Sequence, residues 1–343
     1  METILFLAHT EADGTLAKSA FEAIGAAKSL TDSLAGSAFV AGVVGQSVQA
    51  AADRIGTCGA TRLFGAAGPA YAQSRYSTDA AAAEALAKAA QASIIIAPAT
   101  SRWLRALPGV AQRLGGKVDT HVVGISVAGD KVSVNRWYYR QRMEANQYRS
   151  QRPWIILLDP GSLPAWSGEP CTVSVNEVEV PLDSAAVRTH VVGYRELAGE
   201  AQTIRPDAEL LFVAGAGWTK KQADGQAHPK EAEQLILDCL RNSRASLGST
   251  KSLVDLGTEG HTVLSFLTHL NQVGQTGSTP RHPKGLATCC HGEEPHTVGW
   301  RFINERRAVN TDPNCGWARG KADVLYVADA FAVMKKLNAL LQK

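Results

Sequence analysis

The sequence predicts an α/β protein of two domains, the first a doubly wound, mostly parallel sheet and the second a Rossmann-like unit. Three observations predict it. Short apolar runs alternate with helical patterns through the first third of the chain, the rhythm of strand–helix–strand crossovers. The runs are apolar without interruption, as strands covered on both faces are. The rhythm then stops and starts again near residue 208, and 343 residues suit about two domains.

Ile4-Leu5-Phe6-Leu7 reads as the first buried strand, and Leu16, Ala20, Phe21, Ile24 and Ala27 recur behind it at helical spacing. Residues 39–44 are the next strand. Ser77-Thr78-Asp79 offers N-cap chemistry to an Ala-rich helix, which leads to a strand at 93–97 and a break at Pro98. From 120 to 159 the pattern changes: 121–125, 132–134 and 154–158 are strand-like with no helix between them. Pro160-Gly161, Pro164 and Pro170 mark a loop, and 171–180 alternates like an exposed strand. Residues 181–207 read as a connector, so the expected domains are 1–180 and 208–343. In the second, 210–214, Leu253-Val254, 286–288, Ala308-Val309 and 324–327 are strand candidates. Leu235, Leu237 and Leu240 mark one helix and 333–341 another.

Hydrophobic residues make up 45% and charged residues 20%, a soluble globular composition with apolar mass enough for a sizeable core. The net charge is only +3, which argues against a nucleic-acid partner held by bulk charge. No apolar run approaches the ~18 residues of a membrane span. Neither a basic leader with an apolar stretch and cleavage site nor an Arg-rich transit peptide is legible at the N-terminus. Six Cys in this length make no disulfide framework, and the expected compartment is a reducing cytoplasm.

Several constellations have ordinary explanations. Gly215-Ala216-Gly217 follows a strand, but Lys220 stands where a dinucleotide fingerprint has its third Gly, so a tight turn is the expectation. Gly124-Ile125-Ser126-Val127-Ala128 lacks the second Gly of a nucleophile elbow and sits between strands. Cys289-Cys290-His291, His296 and Cys315 lack the spacing of zinc ligands, and no metal is expected. Arg136, Arg140, Arg142, Arg149 and Arg152 interleave with Trp137, Tyr138, Tyr139 and Tyr148. The readings favoured there are a hairpin with solvated Arg heads or a partner surface, ahead of single-stranded nucleic acid.

The informative stretches are Gln272-Val273-Gly274-Gln275-Thr276-Gly277 and residues 286–329. Gln275 and Thr276 are short polar donors between glycines, where backbone comes close to a flat ring or a phosphate. Gly292 reads as a turn after a strand end, with a helix start beyond it, and such a start attracts anions. Asn310-Thr311-Asp312 comes directly after a strand and suits hydrogen bonding to a ribose or adenine. Together these point to an adenine dinucleotide at the carboxyl ends of a parallel sheet.

This pattern resembles the alpha subunit of electron-transfer flavoproteins. Residues 272–277 match the family's flavin-loop motif. Nineteen residues after Gly277, His296 falls on the family's flavin-contacting His, and Asn310, Asp312, Ala322-Asp323 and Asp329 then match without a gap. The resemblance covers most of the chain and is weaker in the N-terminal third. It implies FAD held mainly by the C-terminal domain, a beta subunit in a heterodimer, and AMP in that partner. It implies an electron carrier without substrate turnover of its own, taking electrons from a dehydrogenase and passing them to a membrane quinone oxidoreductase or another acceptor. Carried over residue by residue, Gln275, Thr276 and Gly277 would lie near the isoalloxazine and Gly292 at the pyrophosphate turn. His296 would bond the flavin or its ribityl chain, and Asn310 and Asp329 would hold the adenosine half.

The chain departs from the family at several of these places. Lys251 stands where the family has an Arg beside the flavin, keeping the charge without the planar fork. His291 replaces the phosphate-loop Ser, Cys289 the first loop Gly, Pro295 the Gln before the His, and Ala216 an Arg. Glu293 and Glu294 replace apolar positions in a first helical turn, where carboxylates compete with a pyrophosphate for the same positive end. Pointing outward they cost little; pointing inward they weaken or abolish FAD binding. That second outcome is the alternative function: an FAD-less scaffold or regulatory subunit of the same heterodimer fold.

Overall fold

Strand β1 (Thr3–His9) lies at the centre of the first sheet because both of its faces are apolar. Ile4, Phe6 and Ala8 point into one core and Leu5 and Leu7 into the other, and all five are fully buried. The computed structural model describes residues 2–138, 143–193, 204–205, 208–255, 264–273, 280–288 and 303–342. It divides into two units, Met1–Tyr194 and Arg195–Lys343, each an α/β layer structure with its own mostly or wholly parallel sheet.

Five parallel strands form the heart of the first unit: β1, β2 (Ala38–Gly45), β3 (Leu63–Ala67), β4 (Ile94–Pro98) and β8 (Trp154–Leu158). Their order is β8-β4-β1-β2-β3, so the chain moves one way from β1 through β2 and β3, then crosses to β4 and β8. Helix α1 (Lys18–Ser33) packs small residues, Ala20, Ala23, Ala26 and Ala27, on one face. Helices α3 (Tyr76–Ala90) and α4 (Ser101–Arg113) cover the other. The short α2 (Gln49–Arg54) lies with α1.

Two details differ from the sequence expectation. The Ala-rich helix starts at Tyr76, so Ser77, Thr78 and Asp79 are its first turn rather than its cap. Asp79 instead accepts from Arg75 N at 3.1 Å and takes a buried two-pronged pair from Arg102, Nε to Oδ2 at 2.9 Å and Nη2 to Oδ1 at 2.6 Å. Beyond Pro98 the chain does not simply break. It enters α4, whose N-cap Thr100 accepts from Trp103 N at 3.2 Å. Pro108 hides that helix from a propensity reading, since its missing N–H and ring disfavour a helix interior.

The 120–159 region forms the expected strands. β5 (Lys117–Ala128) runs parallel to β8, and β6 (Lys131–Tyr138) and β7 (Met143–Tyr148) join it antiparallel. β5 slips register between Asp119 and Val122, where His121 takes a left-handed φ of 57°. The slip is a bulge that lets one strand serve two neighbours. Ser126 of the apparent elbow is a strand residue bonded to Ser133 at 2.8 Å.

The Arg heads of this region turn inward. Arg136 Nη1 donates to Asp119 Oδ1 at 2.7 Å, and Arg149 to both Asp119 oxygens at 2.9 Å. Trp154 Nε1 donates to Asp119 Oδ2 at 2.9 Å. Burial alone would raise this carboxyl, but the bonds from Arg149 and Trp154 and the two guanidinium charges hold it below its usual value. Arg152 pairs with Glu2 at 2.7 Å. Arg140 and Arg142 lie outside the described residues. Of 171–180, only the two-residue β9 (Asn176–Glu177) pairs, on the edge of β3.

The second unit has one parallel sheet in the order β11-β10-β12-β13-β14. Its strands are β10 (Leu210–Ala214), β11 (Ser246–Ser249), β12 (His282–Thr288), β13 (Ile303–Asn310) and β14 (Val324–Val327). α5 (Pro229–Ser243) and the terminal α8 (Ala330–Leu341) share one core, where Ile236, Cys239, Phe331 and Met334 meet Phe212 and Leu247. The opposite core holds Leu211, Val213, Val273, Ala308 and Cys315 with Ala318 of α7 (Gly316–Lys321). Leu253-Val254, expected as a strand, belongs to the short helix α6 (Lys251–Asp255), and β11 lies just before it.

Candidate functional site

Parallel sheets bind ligands outside the carboxyl ends of their strands, where the strand order reverses. Each unit has one such crevice, and the two are filled differently.

In the first unit the reversal falls between β1 and β4. His9, the last residue of β1, places Nε2 3.0 Å from Thr100 Oγ1, just beyond β4, and Nδ1 3.2 Å from the Thr10 carbonyl. A neutral ring satisfies both by accepting at Nε2 and donating from Nδ1. Its edge meets Trp103 with centroids 5.6 Å apart. Burial, with the nearby Arg102 cation, lowers the His9 pKa to about 4, so the ring is uncharged at neutral pH. The chain bridges this crevice with its own side chains.

In the second unit the strands run 2-1-3-4-5 in order of appearance, and the reversal falls between β10 and β12. Gly215-Ala216-Gly217 turns there as expected: Gly215 N donates to Thr288 O at 3.0 Å and a 3-10 turn covers Ala216–Thr219. Trp218 is wholly buried, its Nε1 donating to Thr288 Oγ1 at 2.8 Å and its ring 4.7 Å from that of Phe331. On one side β11 ends at Ser249, and Thr250 and Lys251 follow it. On the other, β13 ends in Asn310 and β14 leads to Asp329.

Two side chains at these ends are left unpaired. Asn310 is fully buried. Its Oδ1 accepts from Asp312 N at 2.8 Å, but its Nδ2 has no hydrogen-bond partner among the described residues. Ser249 is equally buried, and its Oγ too has no partner among the described residues. A buried polar group without a partner costs about 1–3 kcal/mol, so each is a reason to expect something else to bind. FAD, which the resemblance implies, presents a diphosphate, sugar hydroxyls and an adenine. An amide donor and a hydroxyl fit such a ligand.

Of the site residues expected from sequence, three are described. Asn310 has just been placed. Asp329 caps α8, its Oδ1 accepting from Ala332 N at 2.8 Å. Lys251 opens α6, half exposed, with Nζ 3.6 Å from Asp255 Oδ2. These three share the carboxyl edge of one sheet. Gln275, Thr276, Gly277, His291, Gly292 and His296 lie outside the described residues, as do Glu293, Glu294 and Pro295. The first two residues of the stretch 272–277 are held by the sheet: Gln272 bridges to Ser249, and Val273 N donates to Ser249 O at 2.9 Å.

Ser249 and Thr250 escaped the sequence reading. Thr250 is buried, and its N–H donates to Ala214 O at 2.9 Å. The signal was the Ser-Thr pair directly before Lys251, in a run, Ser-Leu-Gly-Ser, with no β-branched residue to mark a strand. Cys315 is buried in the core, and no group of three or more potential metal ligands gathers among the described residues. A cleft of about 570 Å³ in the first unit, between α1, β5 and the loop at 163–166, belongs to neither crevice. Its charged residues Lys28 and Asp32 pair with each other at 2.9 Å.

Residues 4–183, more than half of the chain, match the model of the family described as the electron transfer flavoprotein domain. The match lies in the first unit, the part where the sequence resemblance is weaker. No curated protein matches the chain. Among the described residues no helix is long and apolar enough to cross a membrane.

Proposed function

The chain belongs to the electron transfer flavoprotein domain family, and from that premise we propose that it is the family's alpha subunit, an electron carrier loaded with FAD. Residues 208–343 hold the cofactor, 1–180 pair with a beta subunit, and 181–207 connect them. The observation that carries the reading is Asn310: a fully buried amide whose Nδ2 lacks a partner among the described residues, at the carboxyl end of a parallel strand.

When bound, FAD supplies the electron-accepting ring, and the chain itself breaks no substrate bond. Asn310 and Asp329 hold the adenosine half. Gln275, Thr276, Gly277 and His296 surround the ring and ribityl chain, and His291 and Gly292 seat the diphosphate. Lys251 places a cation beside the ring, which favours its reduced, more negative forms and raises the potential. AMP belongs to the beta partner. The donor is a dehydrogenase and the acceptor a membrane quinone oxidoreductase or similar protein, with the carrier in the cytoplasm and no nucleic acid involved.

The test is the visible spectrum of the protein purified gently with its beta partner, and then FAD titration with fluorescence quenching. Flavin bands and micromolar or tighter binding are expected. A colourless protein that does not quench FAD would leave the FAD-less scaffold in possession of the fold.

A further inference from the structure

We propose that Asp255 is a positioning residue that sets how much of the Lys251 charge reaches the flavin. The proposal rests on the FAD reading above.

Lys251 and Asp255 are the first and last residues of α6, one helical turn apart, with Nζ 3.6 Å from Oδ2. A five-residue helix gives a long, flexible Lys side chain little else to hold it, and an i, i+4 carboxylate restrains it. The other oxygen of Asp255 lies 3.8 Å from Nδ1 of His269. His269 opens a 3-10 turn closed by a capping box between Thr268 and Asn271. From that turn the chain runs through Gln272 and Val273, pinned to Ser249, into the flavin-loop motif. One carboxylate therefore touches both the element that carries the cation and the segment that leads to the ring.

As an ion pair this contact adds little stability, because the Lys251 and Asp255 side chains are 46% and 33% exposed. Its effect is on the field. An ammonium restrained by a carboxylate acts on a neighbouring ring more weakly than a free one. Removing the carboxylate frees Lys251 toward the flavin and raises the reduction potential; removing Lys251 lowers it. With Lys251 gone, Asp255 no longer acts through that cation.

The experiment is a redox titration of the FAD-loaded protein, with its partner subunit, as wild type, D255N, D255E, K251Q and D255N/K251Q. FAD affinity of each is read first by fluorescence quenching. D255N is expected to shift the midpoint upward and K251Q downward. In the K251Q background the D255N shift should shrink to less than half, while D255E restores the wild-type value. A D255N shift of equal size in both backgrounds would show that Asp255 acts by its own charge, and it overturns the proposal, as does no shift at all. Failure of the wild type to bind FAD overturns the underlying reading and this inference with it.

Discussion

The molecule builds the same topological crevice twice and treats it in opposite ways. In the first unit His9 reaches from β1 to Thr100 at 3.0 Å and closes the gap between diverging strands, with Trp103 behind it. In the second, Ser249 Oγ and Asn310 Nδ2 end at the carboxyl edge of the sheet without partners among the described residues. The difference shows that the strand order permits a ligand site without making one. His9 and Thr100 satisfy each other across the first crevice, although the buried Trp103 Nε1 behind them also has no partner among the described residues; in the second the orphaned donors stand at the strand ends themselves, where an added ligand can meet them.

This contrast can be broken most forcefully at Arg102, which stands behind the closed crevice. Arg102→Met strands the buried Asp79 carboxylate and should cost about 3–5 kcal/mol in denaturant unfolding, since a broken buried pair leaves an uncompensated charge. Flavin affinity of the folded protein should not change. A large loss of affinity would mean the first crevice serves the ligand after all.

His9 gives the next largest effect. Its pKa falls from 6.5 to about 4 on folding, so between those values the unfolded chain binds a proton that the folded chain refuses. The His9 contribution is therefore intact above pH 6.5, declines as pH falls toward 4, and is level below that, for a total of roughly 3 kcal/mol. His9→Gln should flatten that part of the stability–pH curve. An unchanged slope would show that the ring is not held neutral.

Asn310→Leu sharpens the comparison from the other side. It removes the orphaned donor and the Asp312 bond together, so stability should move little. Affinity for FAD should drop at least tenfold, about 1.4 kcal/mol. Equal affinity in a fluorescence titration would mean that Nδ2 faces no ligand. Ser249→Ala should be the mildest change, within ~0.5 kcal/mol in unfolding because its hydroxyl bonds nothing among the described residues. A clear destabilisation would reveal a hidden partner for Oγ.

Much of the frame was legible in the chain. β1, β2, β4 and β8 announce themselves as unbroken apolar runs, because a doubly covered strand has no polar face to interrupt them. The turn at Gly215 and the strand end at Asn310 were legible from glycine and from short polar residues after an apolar run. What escaped had a local pattern that contradicted its setting. α4 carries Pro108 on its exposed side, where the lost hydrogen bond is tolerated because Trp103, Ala106, Leu107 and Val110 are buried on the other. β11 lacks β-branched residues and is a strand only because β10 pairs with it. Leu253-Val254 reads as a strand by composition, yet the five residues after Thr250 coil into a helix. The Arg-rich hairpin read as solvated or partner-facing because its acceptor, Asp119, lies 17 to 30 residues earlier in the chain.

Asp119 leaves a mark on what mutation can reach. One carboxylate answers two guanidinium groups and an indole drawn from three other segments, so its loss leaves the half-buried Arg136 and Arg149 without the acceptor they share. A lineage that gave it up would need to surrender Arg136 and Arg149 in nearly the same step. Drift in this corner should advance by whole sets of residues, and the hairpin should persist long after the surfaces around it have been rewritten.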